Sequence, residues 1–94
     1  MASEAIAERR QLERFPVMRS VELTTSRAPK DHFPGTILDF SEHGLRIFTG
    51  RLIQKSETVT VHWGHTHLVG KVVHSRQQKN GSVFGISLSA VSDK

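Results

Sequence analysis

The residues best suited to chemistry stand in two short stretches. Asp39-Phe40-Ser41-Glu42-His43-Gly44 places two acceptor side chains, Asp39 and Ser41, two residues apart with a glycine three residues further on. That is the composition of a turn that presents polar groups to a ligand. Near the N-terminus, Arg9-Arg10-Gln11-Leu12-Glu13-Arg14 supplies the opposite charge as three guanidinium groups in six residues. A guanidinium is planar and permanently charged, so it forks onto phosphate oxygens and stacks on flat rings. The chemistry of such a set is recognition rather than bond making. No serine has an assignable base, and a carboxylate at Asp39 near arginines is ionised rather than poised as an acid, so no catalytic residue is assigned. Each stretch alone also has a plain reading: three arginines as a solvated helix face, Asp39-Phe40-Ser41 as an ordinary turn between strands.

The elements that must position these groups follow from the hydrophobic pattern. Ser3 caps a possible short helix to Arg14, with acidic residues early and arginines late as the helix dipole prefers. Pro16 ends it. At about 12 residues such a helix is marginal in isolation, so residues 1–15 are expected to be a flexible or short helical segment. From Val17 the period becomes two, with Val17, Val21 and Leu23 on one face and Met18, Ser20, Glu22 and Thr24 on the other. Thr25 to His32 reads as a polar loop. A second strand is expected at about Gly35 to Phe40, and the Asp39–Gly44 turn leads into a third at Leu45 to Thr49. Leu52 and Ile53 are expected to anchor a turn region from Arg51 to Glu57. Val59, Val61 and Trp63 alternate with Thr58, Thr60 and His62, and Gly64 turns the chain. A long strand from His67 to Ser75 carries His74, the polar loop Arg76 to Ser82 contains Asn-Gly, and Phe84, Ile86 and Leu88 alternate on the last strand. Six short strands without a long helix indicate an all-β fold, a six-stranded antiparallel barrel over residues 16–94, with Trp63, Phe84 and the valines in its core.

In this order, about 25 residues apart and followed by alternating strands, the two motifs resemble the PilZ domain. In that family an RxxxR motif and a D/NxSxxG motif together bind the bacterial second messenger cyclic di-GMP. Here RxxxR is Arg10 to Arg14 and D/NxSxxG is Asp39 to Gly44, both intact, while Gly70-Lys71-Val72-Val73 and Gly85-Ile86-Ser87-Leu88 also look like the family's pattern. The resemblance implies the same barrel, with an N-terminal ligand-gripping segment, and a non-enzymatic receptor. Arg10 and Arg14 would meet phosphate or guanine, Asp39 would accept from guanine N1 and N2, Ser41 would add a hydroxyl, and Gly44 would allow a positive φ and a close ligand. Arg9 gives a further cation, from which two ligands per chain are expected, and His74 stands where family members place a flat side chain against the purine. Control of motility, exopolysaccharide, biofilm or virulence through an unidentified downstream protein would be the output.

Composition sets the bounds. Ninety-four residues suit one domain. The chain has no cysteine, which excludes disulfides, thiolate metal sites and a cysteine nucleophile and suits a reducing cytosol. No apolar run approaches the ~20 residues of a membrane-spanning helix, so no membrane insertion is expected. The net charge of +4 favours anionic partners and leaves one alternative, a small basic β-barrel that binds nucleic acid or acts as an adaptor without the nucleotide. The absence of clustered exposed aromatics argues against nucleic acid. His62, His65 and His67 flank a tight turn, but no carboxylate or cysteine accompanies them in sequence, so no metal is assigned.

Overall fold

A computed structural model describes residues 15–93, all of them in strands or the turns between them. The expected helix up to Arg14 lies outside the described residues. The six strands are β1 (Phe15–Thr25), β2 (Ala28–Ser41), β3 (Gly44–Thr49), β4 (Thr58–Trp63), β5 (Thr66–Gln78) and β6 (Gly81–Asp93). They close into an antiparallel barrel in the order β1-β2-β3-β6-β5-β4, with β4 returning to β1. Closure leaves the paired strands without a sticky edge.

Alternation builds the core. Leu23, Ile37, Ile47, Val59, Val61 and Phe84 have no exposed surface, and Ile53, Val72 and Ile86 join them from the barrel's ends and wall. Tight connections do the rest: two residues each at Ser26–Arg27, Glu42–His43, Gly64–His65 and Lys79–Asn80. Two expected loops are therefore mostly strand. The stretch from Thr25 to His32 turns at Ser26–Arg27 and enters β2 at Ala28, and the stretch from Arg76 to Ser82 turns at Lys79–Asn80. Polar composition marked these segments, but their side chains decorate the solvent face of long hairpins, where polarity is compatible with strand.

Four burial expectations are corrected, the first being that of the valines as a group, since Val73 is 45% and Val91 64% exposed, one at a bulge of β5 and the other near the end of β6. Trp63 is 40% exposed because it stands at the end of β4 beyond the core, and Leu52 is 56% exposed in the connection between β3 and β4. Thr24 is buried, and its Oγ1 lies 3.0 Å from His62 Nε2 across the β1–β4 pair, so a partner removes the cost of burying the hydroxyl. The inward position of Ile53 holds, at 3% exposed.

Candidate functional site

The β2–β3 hairpin fixes the second motif. With Glu42–His43 as its turn, Ser41 pairs with Gly44, Phe40 with Leu45 and Asp39 with Arg46. Arg46 in turn faces Gly85 on β6, and Gly85 faces His74 on β5. One rung of the barrel wall thus reads Asp39, Arg46, Gly85, His74. The next but one reads Ser41, Gly44, Ser87, Lys71. Residues dispersed over half the chain meet on two alternate rungs, with Phe40, Leu45, Ile86 and Val72 on the rung between, because antiparallel registers carry them there.

His74 reaches its rung through a β-bulge. Val72 pairs with Ile86 and His74 with Gly85, which leaves Val73 as the extra residue. Both Val73 and His74 are exposed, where strict alternation after buried Val72 would have turned His74 inward. Gly85 completes the arrangement: a Cβ there would lie 2.4 Å from His74 Nε2 and 2.7 Å from Cε1. The imidazole therefore lies directly over the bare glycine backbone.

Gly44 has a different reason to be glycine from the one expected. Its φ is not positive; the positive-φ glycines among the described residues are Gly64 and Gly81. A Cβ at Gly44 would stand 1.8 Å from the carbonyl oxygen of Ile86, so β3 approaches β6 here as only glycine allows. The Leu88 amide also donates to the His43 carbonyl at 3.4 Å.

These features surround an open groove of about 340 Å³. The motif turn contributes Ser41, His43 and Gly44, β5 contributes Val73 and His74, and β6 contributes Ser87. Of the residues expected at the site, Ser41, Gly44 and His74 are brought together here. Asp39 shares the rung of His74, with Arg46 and Gly85 between them, but does not line the groove; it is 6% exposed, its Oδ2 accepting from Arg46 Nη2 at 2.5 Å. Arg9, Arg10 and Arg14 lie outside the described residues.

Sequence reasoning did not single out Arg46, Gly85 or Ser87 as individual site residues. The signal for Arg46 was available: once Glu42–His43 is a two-residue turn, positions 39 and 46 must face each other. The outer wall also carries His62 between His32 and His67, with ring centroids 5.1 and 4.8 Å away. His62 and His67 are the cross-strand pair that flanks the turn. Among the described residues no group of three or more histidines and carboxylates is arranged to hold a metal ion.

Residues 8–94 match the sequence model of the PilZ domain, nearly the whole chain, and the closed six-stranded barrel agrees with it. The chain belongs to the PilZ domain family. No curated protein and no solved structure matches it. PilZ domains are in general cyclic di-GMP-binding modules that act through protein partners, not catalysts. No helix among the described residues is long and apolar enough to cross a membrane.

Proposed function

We propose that this PilZ domain is a cytosolic receptor for cyclic di-GMP in which the groove between the β2–β3 turn and His74 takes one purine of the ligand. The observation that carries this reading is the convergence of Ser41, Gly44 and His74 on one groove from three different strands. The ring of His74, exposed and laid over Gly85, offers a flat face for a guanine. Ser41 and Ser87 offer hydroxyls in the same lining. Asp39 acts partly through Arg46: the carboxylate holds the guanidinium on the rung beside the groove, where its remaining N–H groups suit phosphate or guanine O6 and N7.

Arg9, Arg10 and Arg14 then supply the arm. Ligand neutralises the repulsion among the three guanidinium groups and draws the segment before β1 onto the barrel, which creates a surface that a downstream protein can read. Three or four charge-assisted hydrogen bonds of roughly 1.5–3 kcal/mol each, less the cost of ordering the arm, correspond to an affinity near micromolar. Arg9 extends the cationic run enough to neutralise a second ligand, giving two per chain.

Calorimetric titration with cyclic di-GMP, against GMP and cyclic di-AMP, tests the reading. Selective binding with loss of at least about tenfold on Arg10→Ala or Arg14→Ala, roughly 1.4 kcal/mol, is the expected result. A folded sample that ignores cyclic di-GMP at high micromolar concentration sinks it, and one ligand per chain rejects the stoichiometry alone.

A further inference from the structure

A second cleft adjoins the groove and shares its wall. Val73 and His74, the bulged pair of β5, line both. The second is the larger, about 480 Å³ against about 340 Å³. Gln54 and Lys55 of the β3–β4 connection stand on one side of it, and Ser75 and Gln77 of β5 on the other. Volumes of this order belong to small-molecule sites, which run from about 300 to 1,000 Å³.

The connection that carries Lys55 is built rigidly. Ile53 is buried as its anchor; the Ile53 amide donates to Ser82 Oγ at 3.2 Å, and Ser75 Oγ donates to the Ile53 carbonyl at 2.6 Å. The Gln54 amide donates to Glu57 Oε2 at 2.9 Å, and the Ser56 amide donates to the Val72 carbonyl at 2.9 Å. Ser56 is held at φ +80°, a conformation a non-glycine residue keeps only where its surroundings over-determine it. Strain of this kind next to an open cleft marks a segment shaped for position.

Charge completes the picture. Lys55 is exposed and pairs with no carboxylate among the described residues. The acid closest in sequence, Glu57, is already engaged by the Gln54 amide and by Arg27 at 3.6 Å. An ammonium with no carboxylate partner among the described residues, at the rim of a cleft that continues the proposed purine groove, suits a phosphodiester.

We infer that the cleft under Lys55 is the far half of the ligand site. A cyclic dinucleotide seated on His74 extends past it, Lys55 meets the phosphodiester on that side, and the side-chain amides of Gln54 and Gln77 meet the edge of the second base. Lys55 is then a further ligand-binding cation that belongs to neither motif. The inference rests on the cyclic di-GMP reading above.

Titration of the full chain with cyclic di-GMP at two salt concentrations tests it, comparing wild type with Lys55→Ala, Lys55→Arg and Lys30→Ala. Lys30 has the same charge and lines neither cleft. The expected result is a five- to tenfold weaker Kd for Lys55→Ala at low salt, a difference that shrinks at high salt, near wild-type binding for Lys55→Arg, and no change for Lys30→Ala. Lys55→Ala within twofold of wild type overturns the inference and leaves the receptor reading standing. Equal loss in Lys55→Ala and Lys30→Ala also overturns it, since bulk charge then explains the effect. A wild-type chain that does not bind removes both.

Discussion

Arg46 faces Asp39 directly across the β2–β3 hairpin, its Nη2 2.5 Å from Oδ2, with the arginine 45% exposed and the aspartate side chain 8% exposed. The motif carboxylate is thus part of the hairpin's own structure, and its removal is felt by the barrel whatever it does for the proposed ligand. Asp39→Ala and Arg46→Ala should each lower the urea midpoint. The double mutant should lose less than the sum of the two, a coupling of about 1–2 kcal/mol given that solvent reaches the arginine. Strict additivity in that double-mutant cycle would show that the pair does not hold the hairpin.

Gly44 and Gly64 separate two reasons for glycine. At Gly44 a methyl group would strike the Ile86 carbonyl, and backbone cannot swing aside as a side chain can. Gly44→Ala should cost about 3 kcal/mol or more, a drop in Tm of roughly 12 °C or beyond. Gly64 stands in open space at φ +63°, so Gly64→Ala should cost only the left-handed backbone penalty of about 1–2 kcal/mol. Thermal melts that rank the two the other way round would refute the close-approach account.

Much of this was legible in the chain. Alternation at Val59 and Val61 and at Phe84 and Ile86 gave strands, and Asp39 to Gly44 gave the hairpin that carries the motif. What misled was polarity read as loop. Arg76 and Gln77 lie within β5 because a long hairpin needs no apolar outer face. Trp63 followed the inward alternation of β4 and yet is exposed, since the barrel ends before the strand does. The bulge at Val73 was not legible, because it depends on the register between β5 and β6, which no local pattern encodes. The position of His74 opposite Gly85 hangs on it.

Acid should loosen the barrel in two stages. His62 titrates below the ordinary histidine value, first because burial disfavours its charged form, then through His67 and His32, with Glu22 acting the other way. A folded-state pKa below the unfolded one means that the unfolded chain binds more protons, so His62 contributes stability that is complete above about pH 6.5 and lost as pH falls through the folded value. Asp31 follows with the same sign at lower pH, held down by its hydrogen bond from Arg51. Urea midpoints measured from pH 8 to pH 2 should fall from about pH 6.5 downward, with the Asp31 stage below about pH 3.8. His62→Gln, which keeps a polar partner for Thr24, should flatten the upper stage; an unchanged slope in that variant would place the acid sensitivity elsewhere.

Gly85 gives the most direct access to the ring that is proposed to receive the purine. The atoms a Cβ at position 85 would meet are the tip of the His74 imidazole, an exposed side chain free to move. Gly85→Ala should therefore cost the fold little, within about 1 kcal/mol, while displacing the ring from the groove. Loss of a stacking partner is worth about 1–3 kcal/mol per base, so affinity for cyclic di-GMP should fall at least about fivefold in Gly85→Ala and by a similar factor in His74→Ala. The double variant should be no worse than either alone, because both act on one contact. Circular dichroism with parallel titration decides the matter: folded variants that bind like the wild type would show that the imidazole over Gly85 belongs to the barrel wall and not to the ligand.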